Sequence, residues 1–384
     1  MNKLSCVVFL LFAMSFAHSQ KKELNNAYTN YGNGYYDRAQ TAIDKAILNE
    51  ETKNEAKTWL YRGNIYLQLA VTKEKEYIGL CTNCGEIAYD SYLKALELDP
   101  NVTAGMNIAD PRQGLKYCAN VLYDEAIKFF EQQKYEESFS VAEKAYKADR
   151  TQQYIVYLYA YTAELTKRMD IAKTNYNDLV QRKSKDIMVY VRLVNIYKLE
   201  NDTAKVLNVI KAGEPIFFSG DSINVDYAVA YSIALSWAGK VDEATDIMNR
   251  ALEKYPTNHT LLVNYGSELS NQRNYEEAEK YFKRALELQP NDLIAIYNLG
   301  NCYYNNYVER RKAMDDIVDN DEYRREEEKN SKLLEQARPY LEQAHELDPK
   351  DINTLQMLRL IYANMRDTEN ELKAVEEKIN ALGK

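Results

Sequence analysis

A chain of 384 residues with 46% hydrophobic and 28% charged residues is globular rather than disordered, yet exceeds one ordinary compact domain. Its net charge of -9, with lysine and arginine interspersed among the acids, excludes the basic stripe of a nucleic-acid binder. It holds 33 Tyr against 9 Phe and 2 Trp, an excess that suits either interlocking helical cores or contact surfaces.

Residues 1–19 have the layout of a signal peptide: Lys3, an apolar run from Leu4 to Phe16, and small residues at Ala17 and Ser19. The run is too short to span a bilayer comfortably, so cleavage is expected before Gln20; cleavage after Ala17 and an uncleaved anchor are the alternatives. No later stretch is apolar enough to cross a membrane. Cys6 lies within the apolar run, too early for lipidation. The remaining cysteines are Cys81, Cys84, Cys118 and Cys302.

The rest of the chain repeats one pattern, clearest in His259–Pro290. Leu262, Tyr265, Gly266 and Leu269 fall on one helical face; Ala278, Phe282 and Ala285 fall on a second, and Pro290 ends it. Set in a unit of about 34 residues, with Pro290 at position 32, positions 4, 7, 11 and 24 are bulky and positions 8, 20 and 27 are small. Residues 20–100 hold two units. The first is partial, with Ala27, Ala39, Ile43 and Ala46. The second has Trp59, Gly63 and Tyr66, then Ala88, Tyr92, Ala95 and Pro100. An insertion near 69–87 separates the halves of the second. Residues 101–118, with Gly105, Pro111 and Gly114, predict an irregular linker.

Residues 119–220 hold units three to five, marked by Leu122 and Ala126, Tyr159 and Ala160, and Leu193 and Val194. Gly213–Asp221, with Pro215 and Gly220, predicts a short break. A division of the solenoid, if present, is expected there or in 101–116. Residues 221–384 hold units six to nine. The eighth is interrupted by the charged stretch 308–331, where mixed charges at helical spacing predict projecting helix extensions. In the ninth, Arg359 and Glu371 replace the small residues at positions 8 and 20, as a polar-faced cap would. No strand pattern is legible.

These residues resemble the tetratricopeptide repeat across nearly the whole chain. The resemblance implies an all-α, right-handed superhelical solenoid of about nine helix–turn–helix units with two insertions. It also implies a concave groove lined by the first helix of each unit, with positions 2, 5, 9, 12 and 13 facing it. Mapped onto this chain, those positions place Asn64, Asn195, Asn301 and Ser267 at position 9, with Tyr154, Tyr157, Tyr161, Tyr297 and Tyr304 also in the groove and Asn298 and Asn305 beside them. Asparagine offers both a donor and an acceptor, which suits the backbone of an extended peptide; an ordinary solvated helix face is the alternative. Some family members clamp a C-terminal carboxylate with basic groove residues. Position 5 here is Leu60, Val191, Val229, Val263, Tyr297 and Gln356, none of them basic, so that mode is not expected.

Cys81 and Cys84 in the first insertion are expected to form a local disulfide. A metal site would need two more ligands, thioredoxin-like redox chemistry a strand–helix setting, and free thiols remain the other alternative. No phosphate-binding loop, GxSxG or HExxH occurs, so no catalytic, cofactor or metal residues are assigned. The resulting expectation is a non-enzymatic exported scaffold for a protein or peptide partner, acting in an envelope-associated complex, with glycan or small-ligand binding in the same groove as the alternative. The exported, Tyr- and Asn-rich style resembles repeat proteins of Bacteroidetes-type Gram-negative bacteria, which implies the periplasm first and the extracellular medium second.

Overall fold

The structure, a computed structural model, describes residues 21–103, 109–219 and 222–382. The signal-peptide reading of 1–19 lies outside them. Among the described residues there are eighteen α-helices in consecutive helix–turn–helix order. The chain divides into two compact units, Met1–Glu200 and Asn201–Lys384. The division thus falls in the turn of the fifth repeat, between its two helices, and not in 101–116 or 213–221.

The first unit contains α1 (Lys22–Gly32), α2 (Tyr36–Ala46), α3 (Ala56–Val71), α4 (Cys84–Leu98), α5 (Pro111–Glu131), α6 (Tyr135–Ala148), α7 (Gln153–Leu165), α8 (Met169–Gln181) and α9 (Ile187–Leu199). The second contains α10 (Thr203–Phe217), α11 (Val225–Trp237), α12 (Val241–Lys254), α13 (His259–Asn271), α14 (Tyr275–Leu288), α15 (Leu293–Ala313), α16 (Asn320–Leu347), α17 (Ile352–Asn364) and α18 (Glu369–Leu382). Within each unit, helices pair as antiparallel hairpins that stack on their neighbours, and several first helices also reach the first helix of the next hairpin (α3 to α5 to α7; α11 to α13 to α15 to α17). The first helices therefore share one face.

Local signals explain where helices start and turn. Asp186, Asn224, Asn258, Asp292 and Asp351 cap first helices, each side chain accepting a backbone N–H of the first turn. Such a cap contributes about 1 kcal/mol. Hairpin turns pass through a positive φ at one place: Gly34 (80°), Gln133 (60°), Lys167 (63°), Gly239 (75°) and Arg273 (64°). Glycine adopts this freely; the other side chains hold it because the surrounding hairpin fixes the turn.

The small residue at position 8 has a defined partner. It is a slot for the bulky residue at position 24 of the same hairpin. A Cβ on Gly63 would lie 2.6 Å from the Tyr92 ring, one on Gly266 2.9 Å from Phe282, and one on Gly300 2.7 Å from Leu341. Tyr92 and Phe282 are fully buried. Much of the tyrosine excess is core: Tyr66, Tyr176, Tyr190, Tyr227, Tyr265 and Tyr303 are all buried.

Three expectations are corrected. Residues 111–118 are not linker but the first turns of α5, because Asp110 caps the helix and Pro111 occupies its first position, where proline costs no hydrogen bond; residues 104–108 lie outside the described ones. Gly213 and Pro215 do not break the chain, for α10 runs through them to Phe217, and Gly213 is a slot for the Tyr227 side chain, whose hydroxyl donates to the Ile210 carbonyl. A two-residue antiparallel hairpin follows, Phe218–Ser219 (β1) with Ser222–Ile223 (β2), too short to leave an alternating pattern in sequence. The charged stretch 308–331 extends α15 to Ala313 and starts α16 at Asn320, with a 3-10 turn at Met314–Asp316 between.

Candidate functional site: the first-helix faces

In the first unit the tyrosines of α7 join a row that crosses three first helices. Tyr154 is 43% exposed; its ring meets Tyr123 of α5 edge-on at 4.8 Å and its hydroxyl donates to Asn120 Oδ1 at 2.5 Å. Tyr161 lies 5.4 Å from Phe130 of α5 and 6.0 Å from Tyr157. From α9, the Arg192 guanidinium sits 3.7 Å over the Tyr161 ring and donates through Nε to the Tyr157 hydroxyl at 3.2 Å. Its Nη1 reaches both Glu164 carboxylate oxygens at 3.1 and 3.2 Å, and the buried Tyr176 hydroxyl donates to the same carboxylate at 2.9 Å. Burial, with Arg192 acting against it, raises the Tyr157 phenol, which stays protonated at neutral pH. Asn195, one turn along α9, is exposed and makes no side-chain hydrogen bond among the described residues.

The second unit builds a comparable face on α13, α15 and α17. Asn298 Nδ2 donates to Ser267 Oγ at 3.1 Å, and Ser267 donates in turn to the Val263 carbonyl. Tyr304 packs 6.1 Å from Tyr307, whose hydroxyl donates to Asn364 Oδ1 at 3.3 Å. Tyr297, Asn301 and Asn305 are half-buried, and the two amides carry no side-chain hydrogen bond among the described residues.

Asn64 is a correction. It is only 5% exposed, because the chain ahead of α5 returns across it. Its Oδ1 accepts the Ala109 N–H at 3.0 Å, while its Nδ2 donates to the carbonyls of Leu60 at 2.9 Å and Ala109 at 3.4 Å. The carboxamide does hold a backbone in both senses, but the backbone is the chain's own. Sequence reasoning also missed Asn120, Tyr123, Phe130, Glu164 and Arg192. A signal existed for Arg192 alone: an arginine in the middle of the otherwise apolar stretch Ile187–Val194.

Cys81 and Cys84 form a disulfide, their Cα atoms 5.7 Å apart. The bond closes the loop at the start of α4, whose Gly85 N–H donates to Glu125 Oε1 of α5 at 2.8 Å. The other Glu125 oxygen is buried and unpartnered. Burial raises the Glu125 carboxyl above the usual range, the Gly85 N–H opposing it. A carboxyl raised on folding stabilises the fold below its ordinary value of about 4.5 and loses that contribution as pH rises through the folded value. Glu125→Gln is therefore expected to flatten the fall in stability between pH 4.5 and 7.5, measured by urea unfolding at both. Cys118 and Cys302 are buried free thiols, pushed by burial to about 12 and about 11, so neither is a nucleophile at neutral pH. Among the described residues no three His, Cys, Asp or Glu side chains converge as a metal site, and no helix is long and apolar enough to cross a membrane.

The family model for the tetratricopeptide repeat matches residues 262–292, covering most of α13 and all of α14. The same slot-and-knob hairpin recurs on both sides of that match. The matched hairpin is a tetratricopeptide repeat. No curated protein matches it in sequence. Solved structures that resemble this repeat protein include YrrB, described as a TPR protein with an unusual peptide-binding site, at 14% identity over 54% of this chain and 96% of that one, with a TM-score of 0.36. TTC0263, a thermophilic TPR protein of Thermus thermophilus, is 17% identical over 48% of this chain and 98% of that one, TM-score 0.37. A monomeric mutant of IFIT1, solved with Gppp-AAAA, is 16% identical over 94% of this chain and 68% of that one, TM-score 0.42. At these scores the likenesses decide nothing about what this repeat protein binds.

Proposed function

We propose that this repeat protein is a non-enzymatic scaffold that holds extended peptide segments of protein partners on its first-helix faces. The observation that carries the reading is the same in each unit: unpaired carboxamides (Asn195; Asn301 and Asn305) stand beside tyrosine rings on helices whose other faces are buried. An amide pair grips a peptide backbone, and the adjacent rings supply rigid area for its side chains. An exported compartment, the periplasm first, is part of the proposal. The apolar run 4–16 and the Cys81–Cys84 disulfide support it, since disulfides persist in oxidising compartments. Assembly within an envelope-associated complex follows from that location.

The test is peptide-display selection on the chain from Gln20 onward, followed by calorimetry of the selected peptide. Each lost hydrogen bond is worth about 0.5–1.5 kcal/mol. Asn195→Ala, which loses the two bonds of one amide, is therefore expected to weaken the peptide about fivefold or more, and Asn301→Ala with Asn305→Ala more than about tenfold. Unchanged affinity in both variants, or a glycan bound more tightly than any selected peptide, would count against the proposal.

A further inference from the structure

At the end of the second-unit face, where Tyr307 meets Asn364, the charged extensions of α15 and α16 enclose a cavity of about 450 Å³ with the turn after α17. At its wall Asn330 is 2% exposed. Asn330 Nδ2 donates to the Tyr307 carbonyl at 3.2 Å, which fixes the orientation of the amide and leaves Oδ1 buried with no partner. A buried acceptor without a donor is costly and points to a group that supplies one. Three arginines line the same cavity: Arg311, Arg324 and Arg366. Arg311 pairs loosely with Glu327 at 3.8 Å and lies 5.8 Å from the Tyr323 ring centroid, and Arg324 and Arg366 have no ion pair among the described residues. The solvent-facing position of the two arginines leaves them available to a ligand from outside.

We infer that this cavity is a second binding site, at the rim of the second-unit face and independent of the Asn301 and Asn305 carboxamides, for a carboxylate-bearing peptide. Guanidinium groups match a carboxylate in planar, two-pronged geometry. The peptide N–H next to that carboxylate supplies the donor that Asn330 Oδ1 lacks. Glu327, Glu328 and Glu335 line the cavity as well, balancing the three arginines. That balance disfavours a phosphate dianion and suits a single carboxylate with N–H donors around it.

The experiment is fluorescence anisotropy of a fluorescein-labelled tetrapeptide of alternating glycine and glutamate, titrated with the full chain. Its glutamine counterpart and inorganic phosphate serve as controls. The glutamate peptide is expected to bind at least tenfold more tightly than the glutamine one. Arg324→Glu with Arg366→Glu, at two exposed positions, should remove that preference while the circular dichroism spectrum stays unchanged. Asn301→Ala with Asn305→Ala should leave it intact, which separates this site from the peptide-holding carboxamides of the same unit. Equal binding of the two peptides, no binding of either, an unaltered preference in the double variant, or displacement by phosphate more readily than by unlabelled glutamate peptide would overturn the inference.

Discussion

Gly63→Ala and Gly114→Ala are each expected to destabilise the first unit by about 1–3 kcal/mol, although alanine is the better helix former. Tyr92 of α4 is held between the two glycines, Gly63 on α3 and Gly114 on α5. A Cβ at Gly63 would stand 2.6 Å from ring atoms Cδ1 and Cε1, and one at Gly114 2.6 Å from Cε2. The ring is 0% exposed and cannot retreat from one glycine without meeting the other. The helix-propensity gain of about 1 kcal/mol is thus outweighed. Because one ring mediates both effects, the double variant should not be additive. Tyr92→Phe supplies the converse: its hydroxyl is buried without a partner, so removing it should be neutral or stabilising. Gly32, with open space where its Cβ would go, is the control, and Gly32→Ala should not destabilise. Urea unfolding of the four single variants checks all of this; equal midpoints for the Gly63, Gly114 and Gly32 variants would refute the clamp.

The second large effect is expected at Arg192. Arg192→Ala removes the partner of Glu164, whose side chain is 25% exposed, leaving its carboxylate with only the Tyr176 hydroxyl. Breaking a buried pair by deleting one member costs about 3–5 kcal/mol. Both side chains here keep some solvent (Arg192 is 19% exposed), so about 2–3 kcal/mol is expected. The same change frees Tyr157 and Tyr161 from the guanidinium that orients them, so a peptide selected on the first-unit face should weaken by more than about tenfold. Arg192→Lys keeps the charge but not the fork or the flat stacking surface, and should recover stability more than binding. Urea unfolding and calorimetry on both variants separate the two losses. A lysine variant that restores both fully would show that charge alone matters.

Much of the fold was legible in the chain because its signals are local. The spacing of Leu262, Tyr265 and Gly266 specifies a helix face, the aspartates and asparagines ahead of first helices specify their starts, and Gly63, Gly266 and Gly300 mark slots at a constant register. The identity of each knob was legible too, since Tyr92, Phe282 and Leu341 occupy one position of the repeat. Gly114 was not: it reads as linker, and only the packing of α5 on α4 shows that it completes the clamp.

The candidate site was legible in residue types and not in availability. Tyr154, Tyr157 and Tyr161 fall on a first helix by spacing alone. Whether their rings are free or braced depends on Arg192, two hairpin helices further on. Asn64 has the same register position as Asn195 and Asn301, yet it is closed, because Ala109, 45 residues away, hydrogen-bonds to it.

The sequence by itself determined that this is a stack of helical hairpins, where most of its helices begin, and which faces carry tyrosine and asparagine. Those properties follow from periodicity and capping, which act within a few residues. The tertiary structure alone decided which asparagines remain open, that the chain divides after Glu200, and that the charged extensions enclose a cavity with an unpaired Asn330 oxygen. Those depend on contacts between segments far apart in sequence, and no local pattern encodes which distant backbone will cover a given side chain.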